Sequence, residues 1–536
     1  MSLPSRHLKV PADGWAGLRQ HWAVDATAGF IIFLLALPLS LGIARASEFP
    51  PIMGLVTAIV GGLVVAPLAG SPLTIKGPAA GLIVVVAGAV ADFGGGELGW
   101  RLTLGALVVA GVLQILFGVF RLGRLVDIFP LSAVHGMLAA IGIIIIAKQI
   151  PVLLHVPSAM TKDKGPLELL GDLPVFIAHL DPRVAALGLV GLAVMMGWPY
   201  LKSIALRRVP APMVVLLVAM PAARVMDFQH TEPPGTLVRV GSLLDNAGVH
   251  LRWDGLAQPG IFVKYVLMFA LIGTLESLLT VRAIDMLDPY CRKSDANKDL
   301  VAIGIGNTLA AILGGLPMIA EVARSSANAN NGARTRWANF FHGAFLLVFV
   351  LLATPLIEMI PNTVLAAMLI AVGFQLAHPK VFRHIFRIGK EQLAIFLTTI
   401  FFALYKDLLV GILAGAVLEI LLHLLYGAPL WWLFRAPVSV SLEGEHWAIK
   451  VEKLAVFTNW LSLKNKLEAI PAGEQVKIDL SETALVDHSV MENLHHFERD
   501  YTRGGGQVQV AGLEAHRPLS NHPLAARKKA KLAVNA

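Results

Sequence analysis

The sequence has few charged residues and almost no cysteine. Only 15% of its 536 residues are charged and 56% are hydrophobic, whereas a soluble domain usually carries about 25% charged residues. The single cysteine, Cys291, excludes an intrachain disulfide and therefore a disulfide-stapled extracellular framework. These shortages exclude an ordinary soluble protein, and the many long apolar runs predict a polytopic membrane protein.

Several motifs of enzymes and ATPases are also missing. The sequence contains no GxxxxGK[ST] loop for nucleotide phosphates and no CxxC, HExxH or GxSxG motif, so ATP-driven transport and catalysis have no support. No cofactor is expected apart from a coupling sodium ion. The net charge of +8 comes from short loops and the C-terminus, which is typical of contact with anionic lipid and not with nucleic acid.

Fourteen apolar segments predict the membrane domain, residues 24–430. They lie at 24–46, 51–68, 72–92, 102–120, 125–150, 184–200, 211–227, 262–282, 299–314, 317–332, 337–357, 361–377, 391–405 and 407–427. The preceding residues 1–23 are polar and basic and have no cleavage pattern, so they predict a cytoplasmic segment and no signal peptide.

The distribution of lysine and arginine predicts the orientation. With the N-terminus in the cytoplasm and alternating spans, the inside loops are rich in basic residues, whereas the short outside segments hold only Arg45, Arg101 and Lys406. The positive-inside rule favours this arrangement, with both termini on the cytoplasmic side of the plasma (inner) membrane.

The composition changes after about residue 437. VKIDLSETALV and QVQVAGL predict strands, whereas LSLKNKLEAI and SVMENLHHFERDYTRGG predict amphipathic helices. This alternation predicts a small cytoplasmic α/β domain at 438–520. The basic residues 521–536 predict a disordered tail.

Ionisable side chains inside spans are costly and usually mark a functional path. In GTLESLLT, Glu276 and Thr280 are four residues apart and share one helix face. A carboxylate and a hydroxyl on one face suit a cation or a proton, although a packing pair with a neighbouring helix is the alternative. Three scattered histidines, His135, His342 and His423, show no ligand spacing and are interpreted as packing or interfacial residues.

Two segments predict broken helices. In SPLTIKGPAAG, Gly77-Pro78 cannot continue a regular helix, and breaks at membrane depth indicate a transporter's binding site. LPMIAEVARSSANANNGAR aligns with it when Pro72 meets Pro317 and Lys76 meets Glu321. The sequence therefore suggests an inverted repeat whose two broken segments face each other, with Lys76 and Glu321 as a hypothetical buried ion pair. A Pro-kinked helix with a snorkelling lysine is the alternative.

Arg324 is predicted in the first turn of the half-helix that follows the second break. A helix N-terminus offers free N–H groups and the positive end of the helix dipole, and Ser325 and Ser326 add hydroxyl donors. These groups predict an anion cradle, although pairing of Arg324 with a carboxylate or with lipid headgroups is the alternative.

These stretches together resemble the sulfate permease family, relatives of the solute-carrier twenty-six anion transporters. The resemblance covers GSPLTIKGPAAG, GTLESLLTVRAIDML and GNTLAAILGGLPMIAEVARSSANANNGART, and the C-terminal part is similar to the sulfate transporter and anti-sigma factor antagonist (STAS) domain. The resemblance implies fourteen helices in two inverted seven-helix repeats, core and gate domains with an elevator movement, and a homodimer.

The motifs and the resemblance together give the expected site residues, of which the resemblance itself implies Glu276, Thr280 and Arg324. The residues expected around the substrate are Ser40, Lys76, Gly77, Ala79, Glu276, Ala323, Arg324, Ser325 and Ser326. The coupling ion is expected at Glu276, Thr280 and Glu321, with Glu276 and Thr280 as the ligands if the ion is sodium. The sequence departs from the family where Leu39 replaces a usual glutamine, so Ser40 is expected to substitute for that contact.

The predicted function is secondary active transport of a small inorganic anion, bicarbonate or sulfate, coupled to sodium or protons. Alternatives are a dicarboxylate or nucleobase symporter or an uncoupled anion channel on the same fold. A membrane anchor that presents the α/β domain to a cytoplasmic protein partner is a further alternative, but it would not need buried charges or broken helices.

Overall fold

A computed structural model describes most of the chain. It covers residues 10–123, 129–162, 164–201, 209–230, 235–241, 243, 248–290, 292–444, 446–471 and 473–529. Cys291, the start of the predicted N-terminal segment at 1–9 and the end of the predicted basic tail at 530–536 lie outside the described residues.

The part of the chain before residue 437 is almost entirely helical. Its elements are α1 (Gly14–Ala46), α2 (Pro51–Val60, continued by a π segment Gly61–Val65 and by Ala66–Leu68), β1 (Lys76–Pro78), α3 (Ile83–Asp92), α4 (Gly96–Val119), α5 (Leu131–Leu153), α6 (Pro166–Gly171), α7 (Leu173–Ala178), α8 (Pro182–Gly197), α9 (Ala211–Val225), α10 (Pro259–Leu287), α11 (Ala296–Ile312), β2 (Met318–Ala320), α12 (Val322–Asn330), α13 (Trp337–Leu352), α14 (Thr354–Ile357), α15 (Asn362–Leu376), α16 (Pro379–Ile388), α17 (Lys390–Tyr405), α18 (Leu408–Leu425) and α19 (Leu430–Leu433).

The polytopic helical fold predicted from the sequence is confirmed. Each of the fourteen predicted segments contains a helix, and eight helices of the described chain are long and apolar enough to cross a membrane. Two predicted spans, 72–92 and 317–332, are instead a short strand followed by a half-length helix. Gly77-Pro78 and Pro317 explain this break, because proline lacks the N–H that a continuing helix needs.

The described chain divides into two compact units. The first comprises Met1–Gly123 and Ile141–Gln375, and the second comprises Arg124–Ala140 and Leu376–Ala536. Both broken spans lie in the first unit. The α/β domain and the helices α16 to α18 lie in the second.

The α/β domain forms around one central strand. Its elements are β3 (Val438–Glu443), β4 (His446–Ala455), α20 (Trp460–Glu468), β5 (Gln475–Val486), α21 (His488–Arg503), β6 (Gln507–Ala511), β7 (His516–Pro518) and β8 (Arg527–Lys529). Strand β5 pairs in parallel with β4 and β6 and antiparallel with β8. Its alternating apolar side chains Val476, Ile478 and Leu480 are buried against α20 and α21.

The domain confirms the predicted strand–helix alternation and corrects one expectation. The predicted disorder of the basic tail is wrong for Arg527–Lys529, which form β8 between β5 and β7. Three consecutive basic residues fit there because β8 is short. Along β5 it pairs with only the last two residues, Leu485 and Val486.

Candidate functional site

The two broken spans meet as a buried two-stranded ribbon. Strands β1 and β2 are antiparallel, with Lys76 opposite Ala320 and Pro78 opposite Met318. Half-helices α3 and α12 follow the two strands, so the predicted facing of the two segments is confirmed in this unit. Extended backbone at this depth must have its polar groups satisfied by protein. Here Ser325 Oγ accepts from Ile75 N at 2.9 Å.

The ribbon depends on side chains from neighbouring helices. On α10, Ser277 Oγ accepts a hydrogen bond from Ala320 N at 3.0 Å. On α11, Asn307 Oδ1 accepts one from Met318 N at 2.6 Å. These contacts fix the strands against two helices, and a fixed ribbon in turn fixes where α3 and α12 begin.

Lys76 does not pair with Glu321, so that hypothesis is wrong. Its Nζ lies 2.8 Å from Asp299 Oδ2 and donates to Thr74 Oγ1 at 2.6 Å, and the side chains of the ion pair are fully buried. The strand register gives the reason. Lys76 lies opposite Ala320, and because successive side chains of a strand point to opposite faces, Glu321 lies on the other face of the ribbon.

Asp299 is a residue that the sequence reasoning missed. Its Oδ1 accepts from the backbone N–H groups of Gly70 and Ser71 at 3.1 and 3.2 Å, while its Oδ2 holds Lys76. An acid in the first turn of an otherwise apolar helix, α11, was the available signal. Because Asp299 neutralises the ammonium of Lys76, the expectation that Lys76 contacts the anion directly is corrected.

The side chain of Glu321 instead reaches the segment just before the other half-helix, α3. It occupies the N-cap position of α12, and its Oε1 accepts from Ala80 N at 2.8 Å, just before α3 begins. A carboxylate is stabilised at the N-terminal end of a helix. Glu321 therefore links the starts of the two half-helices with a negative charge.

Arg324 is the largest fully buried side chain and has an unusual environment. It is 1% exposed, and its Nε, Nη1 and Nη2 atoms have no hydrogen-bond partner among the described residues. A methyl group on Gly77 would lie only 2.5 Å from Arg324 Nη1. The guanidinium therefore lies directly against the β1 backbone, in space that exists because residue 77 is glycine.

Glu276 has a similar relation to a glycine. It lies on α10, is 5% exposed, and its Oε1 has no hydrogen-bond partner among the described residues. A methyl group on Gly81 would lie 2.1 Å from Oε1 and 2.2 Å from Oε2. The carboxylate thus lies against the turn before α3, and Thr280 is buried one helical turn further along α10.

The remaining predicted residues differ in their exposure. Ser40 on α1 is fully buried, and its Oγ has no partner in the described chain. Ala79 N is used in the ribbon, where it donates to Pro317 O at 3.1 Å. Ser326 is half-buried and Ala323 is exposed on α12.

Comparison with known proteins settles the family. The model of the sulfate permease family matches residues 23–399, a range that includes the ribbon, both half-helices and Glu276. The chain belongs to the sulfate permease family.

Individual members of the family and one solved structure agree with this assignment. “Putative sulfate transporter YvdB” of Bacillus subtilis is 27% identical over 74% of this chain and 73% of its own length. “Bicarbonate transporter BicA” of Picosynechococcus is 26% identical over 73% of this chain and 68% of its own length. The murine Solute Carrier 26 family member A9 anion transporter, in the inward-facing state, shares the fold with a TM-score of 0.63 and 14% identity, covering 91% of this chain and 85% of that chain.

In this member of the sulfate permease family, five buried ionisable groups at the ribbon and the half-helices form two sets. Lys76 and Asp299 neutralise each other behind the ribbon. Arg324, Glu276 and Glu321 remain near the starts of the half-helices, where a guanidinium without a hydrogen-bond partner can bind an oxyanion and two carboxylates can bind a cation or protons.

Proposed function

We propose that the chain is a secondary active transporter of a small inorganic anion, bicarbonate or sulfate. The observation that carries this proposal is Arg324, a buried guanidinium in the first turn of α12 that lies against Gly77 and has no hydrogen-bond partner in the described chain. Burying a guanidinium without hydrogen-bond acceptors is costly. An oxyanion that binds it in a bidentate manner would supply the missing acceptors.

Other predicted donors of the same unit would serve the remaining oxygens of such an anion. The first N–H groups of α12 and the positive end of its dipole favour negative charge. Ser40 and Ser326 offer hydroxyl donors on separate helices. The names of the relatives, a sulfate and a bicarbonate transporter, support substrates of this size and charge.

The charge balance of the site supports coupling to a cation. Asp299 cancels Lys76, so the site itself contains one guanidinium and the carboxylates of Glu276 and Glu321. With both acids ionised, the site is already net negative before an anion enters. Because unbalanced charge is expensive in a buried site, the anion would enter together with sodium or with protons.

Glu276 and Thr280 are the proposed ligands of the coupling ion. Both lie on one face of α10, and the carboxylate of Glu276 has an oxygen without a hydrogen-bond partner in the described chain. Glu321 is the second acid that would be neutralised. Movement of the anion and the coupling ion together would follow from an elevator-type displacement of the ribbon and half-helices.

The setting that we propose is the plasma membrane, with both termini in the cytoplasm and two chains in a homodimer. Eight long apolar helices of the described chain fit a bilayer, and the positive-inside rule favours the orientation. The C-terminal α/β domain would be STAS-like, and a cytoplasmic protein is its proposed partner.

Uptake into proteoliposomes tests the function. We expect the purified protein to accumulate labelled bicarbonate or sulfate, and we expect a sodium or pH gradient to drive that accumulation. Competition with fumarate and uracil distinguishes a dicarboxylate or nucleobase symporter, and flux that no gradient drives uphill would indicate a channel. Absence of any anion flux with a monodisperse protein would refute the proposal.

The Glu276→Gln variant tests the coupling role separately. Glutamine keeps the size of the side chain but removes its charge and its proton. We expect accumulation driven by the cation gradient to be lost, whereas exchange of anion across the membrane persists. Accumulation and cation dependence equal to those of the unmodified protein would refute the role of Glu276.

A further inference from the structure

A second buried cluster lies far along the chain from the anion site. Glu419 and His423 are four residues apart on α18, so they share one helix face, and Asp487 lies at the N-cap of α21 in the α/β domain. All three belong to the second compact unit, and each is at most 3% exposed. His423, interpreted from the sequence as a packing residue, is buried here together with two carboxylates that are possible metal ligands.

The ligand atoms of this cluster converge. His423 Nε2 lies 3.9 Å from Glu419 Oε1 and 3.8 Å from Asp487 Oδ2. One ligand atom from each residue lies within 4.8 Å of the others. In a tetrahedral zinc site, bonds of about 2.0–2.2 Å place the ligand atoms about 3.3–3.6 Å apart, so rotamer adjustments of the two α18 side chains would close the site.

Three polar side-chain atoms of the cluster on α18 have no hydrogen-bond partner in the described chain. Neither carboxylate oxygen of Glu419 accepts a hydrogen bond from any described residue, and His423 Nδ1 has no partner there either. A buried carboxylate without a donor is costly, and the carboxylate of Asp487 beside it adds a second negative charge. The unsatisfied oxygens therefore point to a cation as the group that completes this cluster.

Hydrogen bonds within the α/β domain fix the position of Asp487. Its Oδ1 accepts from Val490 N at 2.8 Å and its Oδ2 from Phe457 N at 2.5 Å. The backbone N–H of Asp487 donates to Ala455 O at 3.0 Å. Each carboxylate oxygen keeps a further lone pair, so Asp487 can act as a rigid metal ligand. The other two ligands, Glu419 and His423, lie on α18.

We propose that Glu419, His423 and Asp487 bind a divalent first-row transition metal ion, with zinc and manganese as the leading candidates. One imidazole and two carboxylates suit these metals, and the two carboxylates balance the charge of the ion. Because two ligands come from α18 and one from the α/β domain, the ion would tie that domain to this helix.

Metal content of the full-length protein tests this proposal. The detergent-solubilised, tag-free protein is stripped with a chelator, equilibrated separately with Zn²⁺, Mn²⁺ or Mg²⁺, desalted and measured by mass spectrometry. We expect about one equivalent of Zn²⁺ or Mn²⁺ per chain, retention of much less Mg²⁺, and a higher melting temperature with the metal than with the chelator.

Three variants assign the metal to this cluster. Glu419→Gln and His423→Gln remove one ligand each, and Asp487→Asn removes the charge but keeps a cap acceptor for α21. We expect each variant to lose the bound equivalent and the metal-dependent rise in melting temperature. The control is His446→Gln, which removes a histidine that also lies 3.9 Å from a glutamate, Glu443, but on an exposed hairpin.

The possible results separate the proposal from its alternatives. If the stripped protein takes up no Zn²⁺ or Mn²⁺, or if Glu419→Gln and His423→Gln retain as much metal as His446→Gln does, the proposal is wrong. The two carboxylates would then share a proton. If a variant does not fold, the chelator-dependent melting temperature of the unmodified protein still decides whether a metal stabilises the fold.

Discussion

Gly77→Ala moves the proposed anion-binding group without removing it. The new methyl group would lie 2.5 Å from Arg324 Nη1, whereas ordinary contacts begin at 3.4 Å. Since the clashing atom is the far end of a flexible side chain, the guanidinium would retreat by about 1 Å while the ribbon stays intact. Gly77 does not have a positive φ, and alanine in a strand costs less conformational entropy than glycine does, so the fold should tolerate the change.

The size of the expected effect follows from that displacement. A shift of about 1 Å in a positioned group can reduce an enzymatic rate about 100-fold, which corresponds to about 2.7 kcal/mol. If Arg324 is the main anion contact, we expect kcat/KM for anion uptake to fall by about this factor. The melting temperature in detergent should remain that of the unmodified protein.

Two matched glycine variants make the assay specific. In Gly81→Ala the methyl group would lie 2.1 Å from Glu276 Oε1, so we expect the dependence on sodium or pH to change more than the KM for the anion. In Gly42→Ala, the nearest atom would be Leu369 Cδ1 at 3.4 Å. That contact is ordinary, and uptake should be unchanged.

Initial uptake rates in proteoliposomes, measured over a range of anion and cation concentrations, distinguish these outcomes. Unchanged anion kinetics in a correctly folded Gly77→Ala variant would refute the assignment of Arg324 as the anion contact. An equal loss of uptake in all three variants would show instead that any added methyl group disturbs packing.

Three further predictions concern buried or hydrogen-bonded charges. Asp299→Asn leaves Lys76 buried without its counter-ion, so we expect thermal or chemical unfolding to show a loss of about 3 kcal/mol. Glu321→Gln keeps the acceptor for Ala80 N but removes a negative charge near Arg324, so the KM for the anion in uptake assays should fall about tenfold, or about 1.4 kcal/mol. Burial raises the pKa of Glu492, but hydrogen bonds from two histidines outweigh it and lower that pKa. Because a lowered pKa stabilises the fold above the unfolded value of about 4.3 and this stabilisation is lost below it, Glu492→Gln should cost about 2 kcal/mol at pH 6 and progressively less below pH 4.

Two of these predictions have a control variant, and the third has an outcome that would contradict it. Lys76→Met together with Asp299→Asn removes both charges, and the double variant should be more stable than Asp299→Asn alone. An unchanged anion KM in Glu321→Gln would show that its carboxylate does not compete with the substrate. Glu498→Gln removes a more exposed glutamate from the same helix as Glu492, and it should cost less stability at pH 6 than Glu492→Gln does. A pH-independent cost for Glu492→Gln would contradict the role of the lowered pKa.

The sequence by itself determined the architecture, because the relevant signals are local. Long apolar segments predict spans, and all fourteen contain a helix in the structure. Gly77-Pro78 predicts a break because proline cannot continue a hydrogen-bonded helix. Alternating strands and helices after residue 437 predict the α/β domain. The position of Arg324 in the first turn of a half-helix also follows from local reasoning, since the break fixes where that helix begins.

Only the tertiary structure decided which buried charges meet. Lys76 and Asp299 are separated by 223 residues, and their pairing depends on how α11 packs beside the ribbon. The register of β1 and β2 placed Lys76 and Glu321 on opposite faces, and no local pattern specifies a register between distant strands. Asp487 likewise meets Glu419 and His423 through packing between a helix and a separate domain. Periodicity in a sequence shows which face of an element is buried, but the partner on that face depends on how the elements are rotated and aligned when they pack.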